Sequence, residues 1–335
     1  MPPLTVADMV LYVQFLGSKV RGIGYDFYQN IFRGNDLSIL SNHLFYGYRV
    51  QEWCYCEEPN YQVLAVRDDG AALAFTYLKE QDVYAWSKYD TLGNSGVDKY
   101  QSVAAIPEDQ ENVPYFIISR TIPGVNGGNP VYYQERQASR NFYVNGVADV
   151  RQAWCVDCGM QFTGDGSNPT VLTGMQHLAG ALVSLLVNGS TQTPRLVSDT
   201  GTVTLDAPLE DGQIATIGLG YVCDLKTLRI DTGNMAGKFK KISRLNLTVQ
   251  DTRGLRASPA RTKSNGQTVF DQYKDIKERT NQPYASPIEL ITGLESIILD
   301  AQWQLEGQVA LQQIYPLPAT VLALTPWMEL GSDDG

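Results

Sequence analysis

The stretch Gln51–Tyr89, QEWCYCEEPNYQVLAVRDDGAALAFTYLKEQDVYAWSKY, decides the fold. Its apolar and aromatic runs Glu52–Cys56, Tyr61–Val66, Ala71–Leu78 and Val83–Tyr89 are separated by Glu-Pro-Asn, Arg-Asp-Asp-Gly and Lys-Glu-Gln-Asp, so it reads as four short strands joined by turns. Asp69-Gly70 is the sharpest hairpin signal, because glycine accepts positive φ and aspartate caps its own turn. Strands 61–66 and 71–78 should therefore fold back on each other antiparallel. In the second of them Leu73, Phe75 and Tyr77 alternate with Ala72, Ala74 and Thr76, which leaves neither face properly polar. A sheet covered on both sides is expected. Four such strands in about forty residues describe one β-propeller blade.

Upstream, MVLYVQF and VRGIGYDF flank Leu16-Gly17-Ser18-Lys19, and the alternation of Leu11, Val13 and Phe15 against Tyr12 and Gln14 predicts a hairpin over Met9–Phe27. Asn35-Asp36 before LSILSNHLF predicts a short helix with Leu37, Leu40 and Leu44 on one face. Downstream, KYQSVAAIP, NVPYFIISRTI and PVYYQERQA are three more strands, separated by Glu108-Asp109-Gln110-Glu111 and the PGVNGGN loop. Their offset of roughly forty residues from Trp53 suits a second consecutive blade over Tyr100–Gln137.

Between Phe162 and Tyr221 aromatic residues nearly vanish, and turns fall at Asn188-Gly189, Asp199-Thr200-Gly201 and Glu210-Asp211-Gly212. This segment reads as a small inserted β-barrel or sandwich. KKISRLNLTVQDT then returns to a long alternating strand with Ile242, Leu245, Leu247 and Val249 as its apolar set. The polar stretch Arg253–Pro287, with a turn of helix near Gln272–Glu278, reads as a long exposed loop suited to chain-to-chain contact. The chain ends in two or three strands with turns at Leu305-Glu306-Gly307 and Pro316-Leu317-Pro318. The expected architecture is mainly β: irregular propeller-like blades over 1–170, a small inserted barrel over 171–226, and a return to the blade domain over 227–335 with the loop at 253–287.

Two blocks carry a family resemblance. Trp53, Pro59, Ala65-Val66-Arg67-Asp68-Asp69-Gly70, Thr76-Tyr77, Glu80-Gln81 and Ala85-Trp86 form the first. The order W-x-x-x-G-x-V-x-x-x-Q-x-x-P-L-P-x-T-V-L-A-L-x-P over Trp303–Pro326 forms the second. Together they resemble the tail nozzle proteins of short-tailed bacteriophages, also called stabilisation or tail tubular proteins, in the C-terminal half of that family. The resemblance implies a structural virion protein: a subunit of a ring, hexameric as in that family, that extends the portal and adaptor channel and conducts DNA during ejection. It implies as partners other copies of the chain, portal or adaptor proteins, and tail fibres or spikes, with assembly in the host cytoplasm and a final place in the virion tail. In such proteins a segment like Gly174–Gly180 introduces a small barrel similar to one in ubiquitin-activating enzymes, a likeness of fold that carries no adenylation chemistry. Family members have a further stretch ahead of the matching part, so a separate chain is expected to supply it and to pair with the Met9–Phe27 hairpin, with truncation of a longer chain as the alternative.

The chemistry-bearing residues support the same reading. Thirty-six acidic against twenty-six basic residues give a net charge of −10, which argues against a general nucleic-acid binder and suits a channel that passes DNA without gripping it. There is no apolar run of about eighteen residues, so no membrane anchor is expected. The five cysteines, Cys54, Cys56, Cys155, Cys158 and Cys223, are odd in number and form no disulfide framework, which points to reduced, cytosolic assembly. Cys155-Val156-Asp157-Cys158 has a zinc or redox spacing, but a second ligand pair is absent and RQAWCVDCGMQF reads as a strand rather than a helix start. Cys54 and Cys56 share a strand face and read as small buried residues. His43 and His177 have no partner motif, and Glu57, Glu58, Asp68 and Asp69 sit in turns where solvation explains them. With no P-loop, dinucleotide fingerprint or G-x-S-x-G, no catalytic, cofactor-binding or metal residue is assigned and no enzymatic turnover is expected. A receptor- or carbohydrate-binding β-propeller is the alternative, favoured by nineteen tyrosines and five tryptophans.

Overall fold

The computed structural model describes residues 1–331 apart from residues 8, 82, 92, 94, 95, 232 and 277–288. The chain is mainly β, with 51% strand and 6% helix in several antiparallel sheets, and among the described residues none of the sheets closes on itself. It divides into two compact units, residues 1–139 with 176–181 and 198–201, and residues 140–175 with 182–197 and 202–335.

In the first unit, β1 (Leu4–Val6), β2 (Met9–Val13), β3 (Val20–Asp26) and β4 (Ile31–Asp36) form an antiparallel meander. The Met9–Phe27 hairpin expected from the sequence is present, but β2 and β3 are each paired on both sides within the chain. It therefore cannot offer its backbone to a partner. The edges of this sheet are β1 and β4, and β4 is exposed along nearly its whole length. The helix expected over LSILSNHLF is a kinked 3₁₀ segment, Ile39–Leu44, and Leu40 is 92% exposed. Asp36 explains the short turn: its carboxylate accepts from the backbone N–H and hydroxyl of Ser38, closing a local loop that competes with an α-helical start.

The strands β5 (Val50–Cys56), β6 (Gln62–Arg67), β7 (Ala72–Leu78) and β8 (Val83–Tyr89) make the four-stranded meander expected of Gln51–Tyr89. Gly70 has φ +92°, and Asp69 Oδ1 accepts the Ala71 N–H at 3.3 Å, as the hairpin requires. Both faces of the two central strands, β6 and β7, are buried. Leu73, Phe75 and Tyr77 pack with Val6, Leu11, Phe45 and Trp53, whereas Ala72 and Ala74 pack with Leu64, Val103 and Phe116. The latter two come from β9 (Lys99–Glu108) and β10 (Glu111–Arg120), which with β11 (Val131–Arg136) form a three-stranded sheet in the order β11-β10-β9.

The second unit opens with the hairpin β12 (Tyr143–Val144) and β13 (Val147–Ala148). Then follow β14 (Asp157–Thr163), β15 (Val171–Leu172), β16 (Leu182–Val187), β17 (Ser190–Leu196), β18 (Val203–Thr204) and β19 (Ile214–Leu219). A sheet in the order β14-β19-β16-β17 is joined by the separate pair β15-β18 in this region. Asn188 and Gly189, at φ +47° and +74°, form the two-residue hairpin turn between β16 and β17. Because β14 belongs to this sheet, the sheet starts ahead of residue 171. RQAWCVDCGMQF is strand only from Asp157, since Asp149 caps a 3₁₀ turn over Val150–Gln152 first.

The remaining strands are β20 (Cys223–Lys226), β21 (Lys240–Thr252), β22 (Arg256–Pro259), β23 (Arg261–Thr262), β24 (Thr268–Val269), β25 (Lys274–Asp275), β26 (Ile291–Ile298), β27 (Val309–Gln313) and β28 (Thr320–Leu330). They build the sheets β20-β27-β22-β25 and β26-β21-β28 and the separate pair β23-β24; Ile242, Leu245, Leu247, Val249, Ala257 and Leu311 are buried between the two sheets. The long loop expected at 253–287 is thereby corrected over residues 253–276. Leu255, Ala257 and Ile276 are core residues there, and Lys274–Asp275 is strand where a helical turn was expected. Polar residues misled because only one face of these strands is buried. The rest of that expected loop, 277–287, lies outside the described residues.

Leu73→Ala is expected to cost about 2–5 kcal/mol in urea unfolding, as for other fully buried leucines. Leu40→Ala should stay within about 0.5 kcal/mol, because its side chain is solvated.

Candidate functional site

The residues of the two sequence blocks are placed by packing. Trp53 Nε1 donates to the carbonyl of Pro2 at 2.9 Å, and Trp86 Nε1 donates to the carbonyl of Leu37 at 2.9 Å. The Trp86 ring stacks on Phe75 at 4.3 Å and meets the edge of Phe45 at 4.8 Å. Arg67, only 4% exposed, bridges Asp69, the carbonyl of Leu44 and the face of Tyr48, 3.8 Å from the ring centroid. Burial by itself would raise the Asp69 carboxyl, but the Arg67 hydrogen bonds and the Ala71 N–H outweigh it and hold it below the usual range. Asp68 accepts the Arg49 N–H at 3.0 Å, while Glu57 and Glu58 are exposed in a turn.

In the second block Gly307 has φ +56°, and a Cβ there would lie 2.8 Å from the Lys240 stem. Lys240 is fully buried, with Nζ 2.6 Å from Asp231 and 2.8 Å from the carbonyl of Leu305. Gln313, 4% exposed, donates to the carbonyl of Arg253 at 2.6 Å and accepts from the Tyr315 N–H at 3.0 Å. A further buried cation, Arg120, sits between Asp98 at 3.1 Å and Glu135. These are ties between loops and strands. A buried ion pair adds little net stability yet is costly to break, so it fixes one arrangement of the loops it joins.

Nucleophiles and metal-type residues stay dispersed. Among the described residues no group of three or more His, Cys, Asp or Glu side chains is placed to hold a metal ion. No cysteine is in a disulfide. Cys54 and Cys56 lie together in the core on one face of β5. Cys155 precedes β14, and Cys158 falls at the register shift of that strand with φ +49°. Burial and the neighbouring Cys223 push the Cys155 thiol up to about 11, against a hydrogen bond from Tyr221. His43 is exposed, whereas His177 is half-buried and lends its main-chain oxygen to Tyr133.

One constellation was not singled out from the sequence. Across the sheet β20-β27-β22, Asp224, Gln312 and Arg256 occupy one register row. Asp224 Oδ1 accepts from Gln312 Nε2 at 2.7 Å, Gln312 Oε1 accepts from Arg256 Nε at 2.9 Å, and Arg256 lies over the Tyr273 ring at 4.8 Å. The next row, Leu225, Leu311 and Ala257, turns to the other face, where Leu311 and Ala257 are core. Lys226 follows two residues after Asp224 on the same face, with Nζ 5.6 Å from the Phe270 centroid. Asp224, Lys226, Lys263, Phe270, Tyr273 and Gln312 line a cavity of about 470 Å³. The alternation of apolar and polar residues in Cys223–Lys226 was the available signal, but pairing of strands nearly ninety residues apart is invisible in sequence.

No protein-family model and no curated protein sequence matches the chain.

With its ionisation displaced to about 11, Cys155 should hold only about a thousandth of its thiolate at pH 8. Maleimide labelling followed by peptide mass mapping is expected to modify exposed Cys223 first, and the Cys155 rate should climb about tenfold per pH unit up to pH 10. Equal rates for the two at pH 8 would contradict this environment.

Proposed function

We propose that this chain is a structural protein of a short-tailed bacteriophage tail, a nozzle subunit that assembles into a ring, extends the portal and adaptor channel, and conducts DNA during ejection. The observation that carries the reading is the β5–β8 sheet: four antiparallel strands, in sequence order, whose central strands β6 and β7 are buried on both faces. A four-stranded antiparallel meander supports a blade reading, and β9 and β10 packing on one of its faces supports a second, consecutive blade. In this reading the sheets are irregular blades, and β14–β19 with β15-β18 form the small inserted barrel. The block residues serve packing and loop anchoring, the roles expected of a scaffold.

Two further features support assembly. The exposed edge strand β4, with Ile31 and Phe32 outside, offers backbone groups to a neighbouring chain. The net charge of −10 per subunit, multiplied around a ring, repels duplex DNA at short range and leaves it free to slide. The partners in this reading are other copies of the chain, portal or adaptor proteins, and fibres or spikes. A receptor- or carbohydrate-binding tail protein is the second reading, favoured by the cavity beside Phe270 and Tyr273.

Native mass spectrometry and negative-stain microscopy of the purified chain, alone and with its adaptor, are expected to show closed rings. Duplex DNA at about 0.15 M salt should give no mobility shift. A strictly monomeric chain in both samples, or tight duplex binding, would refute the nozzle assignment.

A further inference from the structure

The cavity on the outer face of β20 and β27 holds a combination of groups that scaffold packing leaves unused. Its volume of about 470 Å³ falls in the range of small-molecule sites, roughly 300–1,000 Å³. The opposite face of the same sheet is core, so packed side chains back the floor. The carboxylate–amide–guanidinium row fixes Asp224 and Gln312 in place, and Arg256 props the Tyr273 ring from one side.

Charge separates this cavity from the rest of an acidic chain. Among the described residues neither Lys226 nor Lys263 has a carboxylate partner, whereas Asp271 is taken by Arg261. Two ammonium groups thus face one recess beside an aromatic wall. Asp224 is engaged by Gln312 through Oδ1 only, which leaves its other oxygen to accept from a ligand hydroxyl. An anion alone would not need the aromatic rings or the carboxylate, and an apolar ligand would not suit the ammonium groups.

We propose that this cavity is a binding site for an acidic saccharide, with a sugar ring against Phe270 and Tyr273, its hydroxyls on Asp224 and Gln312, and its carboxylate or ester anion held by Lys226 and Lys263. The aromatic surface complements the apolar face of a pyranose, and the acid and amide match vicinal hydroxyls. Single-stranded nucleic acid fits less well, because it needs a track of cations along several stacked bases, and here two carboxylates share the recess with two ammonium groups. The inference rests on the second functional reading for its ligand class and leaves ring assembly untouched.

The test is binding of the full chain to an array of acidic and neutral glycans, followed by calorimetric titration of the best acidic ligand, its neutral counterpart of equal length, and an eight-residue oligothymidylate. Saturable binding of the acidic saccharide is expected, with the neutral one weaker by about tenfold or more. Lys226→Gln and Lys263→Gln are both exposed-site changes that keep the fold, checked by circular dichroism, and each should weaken acidic binding by about tenfold while leaving the neutral ligand unchanged. Phe270→Ala should weaken both ligands. No saturable binding of any acidic glycan, equal affinity for neutral ones, unchanged affinity in both lysine variants, or preference for the oligothymidylate would each overturn the proposal. Native mass of the same variants separates failure here from failure of the ring assignment.

Discussion

The stack of Trp86 on Phe75, edged by Phe45, is the contact on which the first unit depends. It joins the last strand of the central sheet to the strand before it and to the turn that precedes the sheet. Offset and edge-to-face aromatic pairs add about 0.5–1.5 kcal/mol beyond their buried area, and here three rings share one cluster with Leu73, Tyr77 and Trp53. Because the same sheet carries Ala72 and Ala74 behind it, small side chains let the second sheet approach closely, while large ones fill the opposite side. One strand thus sets the spacing of both layers.

Loops in this β-rich chain are held by single buried cations. Arg67 ties the 3₁₀ segment to the Asp69 hairpin, Arg120 ties the start of β9 to β11, and Lys240 ties the Leu305 turn to Asp231. Each reaches main-chain oxygens or carboxylates that would otherwise be solvated at a loop. Removing one partner would leave a charge without compensation in a low-dielectric site, which is why such ties specify a conformation more than they add stability. Two residues of the sequence blocks take part in these ties: Asp69 pairs with Arg67, and the lack of a side chain at Gly307 leaves room for the Lys240 stem.

The second unit separates its two duties by face. The inner rows of β21, β22 and β27 supply aliphatic packing, and the outer row of β20, β27 and β22 carries a hydrogen-bonded polar series. A strand's twofold alternation permits this without conflict, so a surface with chemical character can sit directly over a core. A scaffold built in this way can present a recognition surface without loosening what it is built on.

The sequence by itself determined the local elements wherever periodicity and turn chemistry agreed. The four strands of Gln51–Tyr89, the Asp69-Gly70 and Asn188-Gly189 turns, and the inward set Ile242, Leu245, Leu247 and Val249 were legible because alternation and positive-φ residues act over a few neighbours. Where local signals compete, sequence reading failed: Asp36 diverted an expected helix into a 3₁₀ turn, and the polar face of 253–276 hid strands whose other side is core. The open edge at β4 and the row Asp224, Gln312 and Arg256 were decided only by tertiary structure. The row arises from pairing between distant segments, whose register is set by the burial of whole faces and not by any property of the paired residues alone, whereas β4 is left open because no other described strand pairs with its far side.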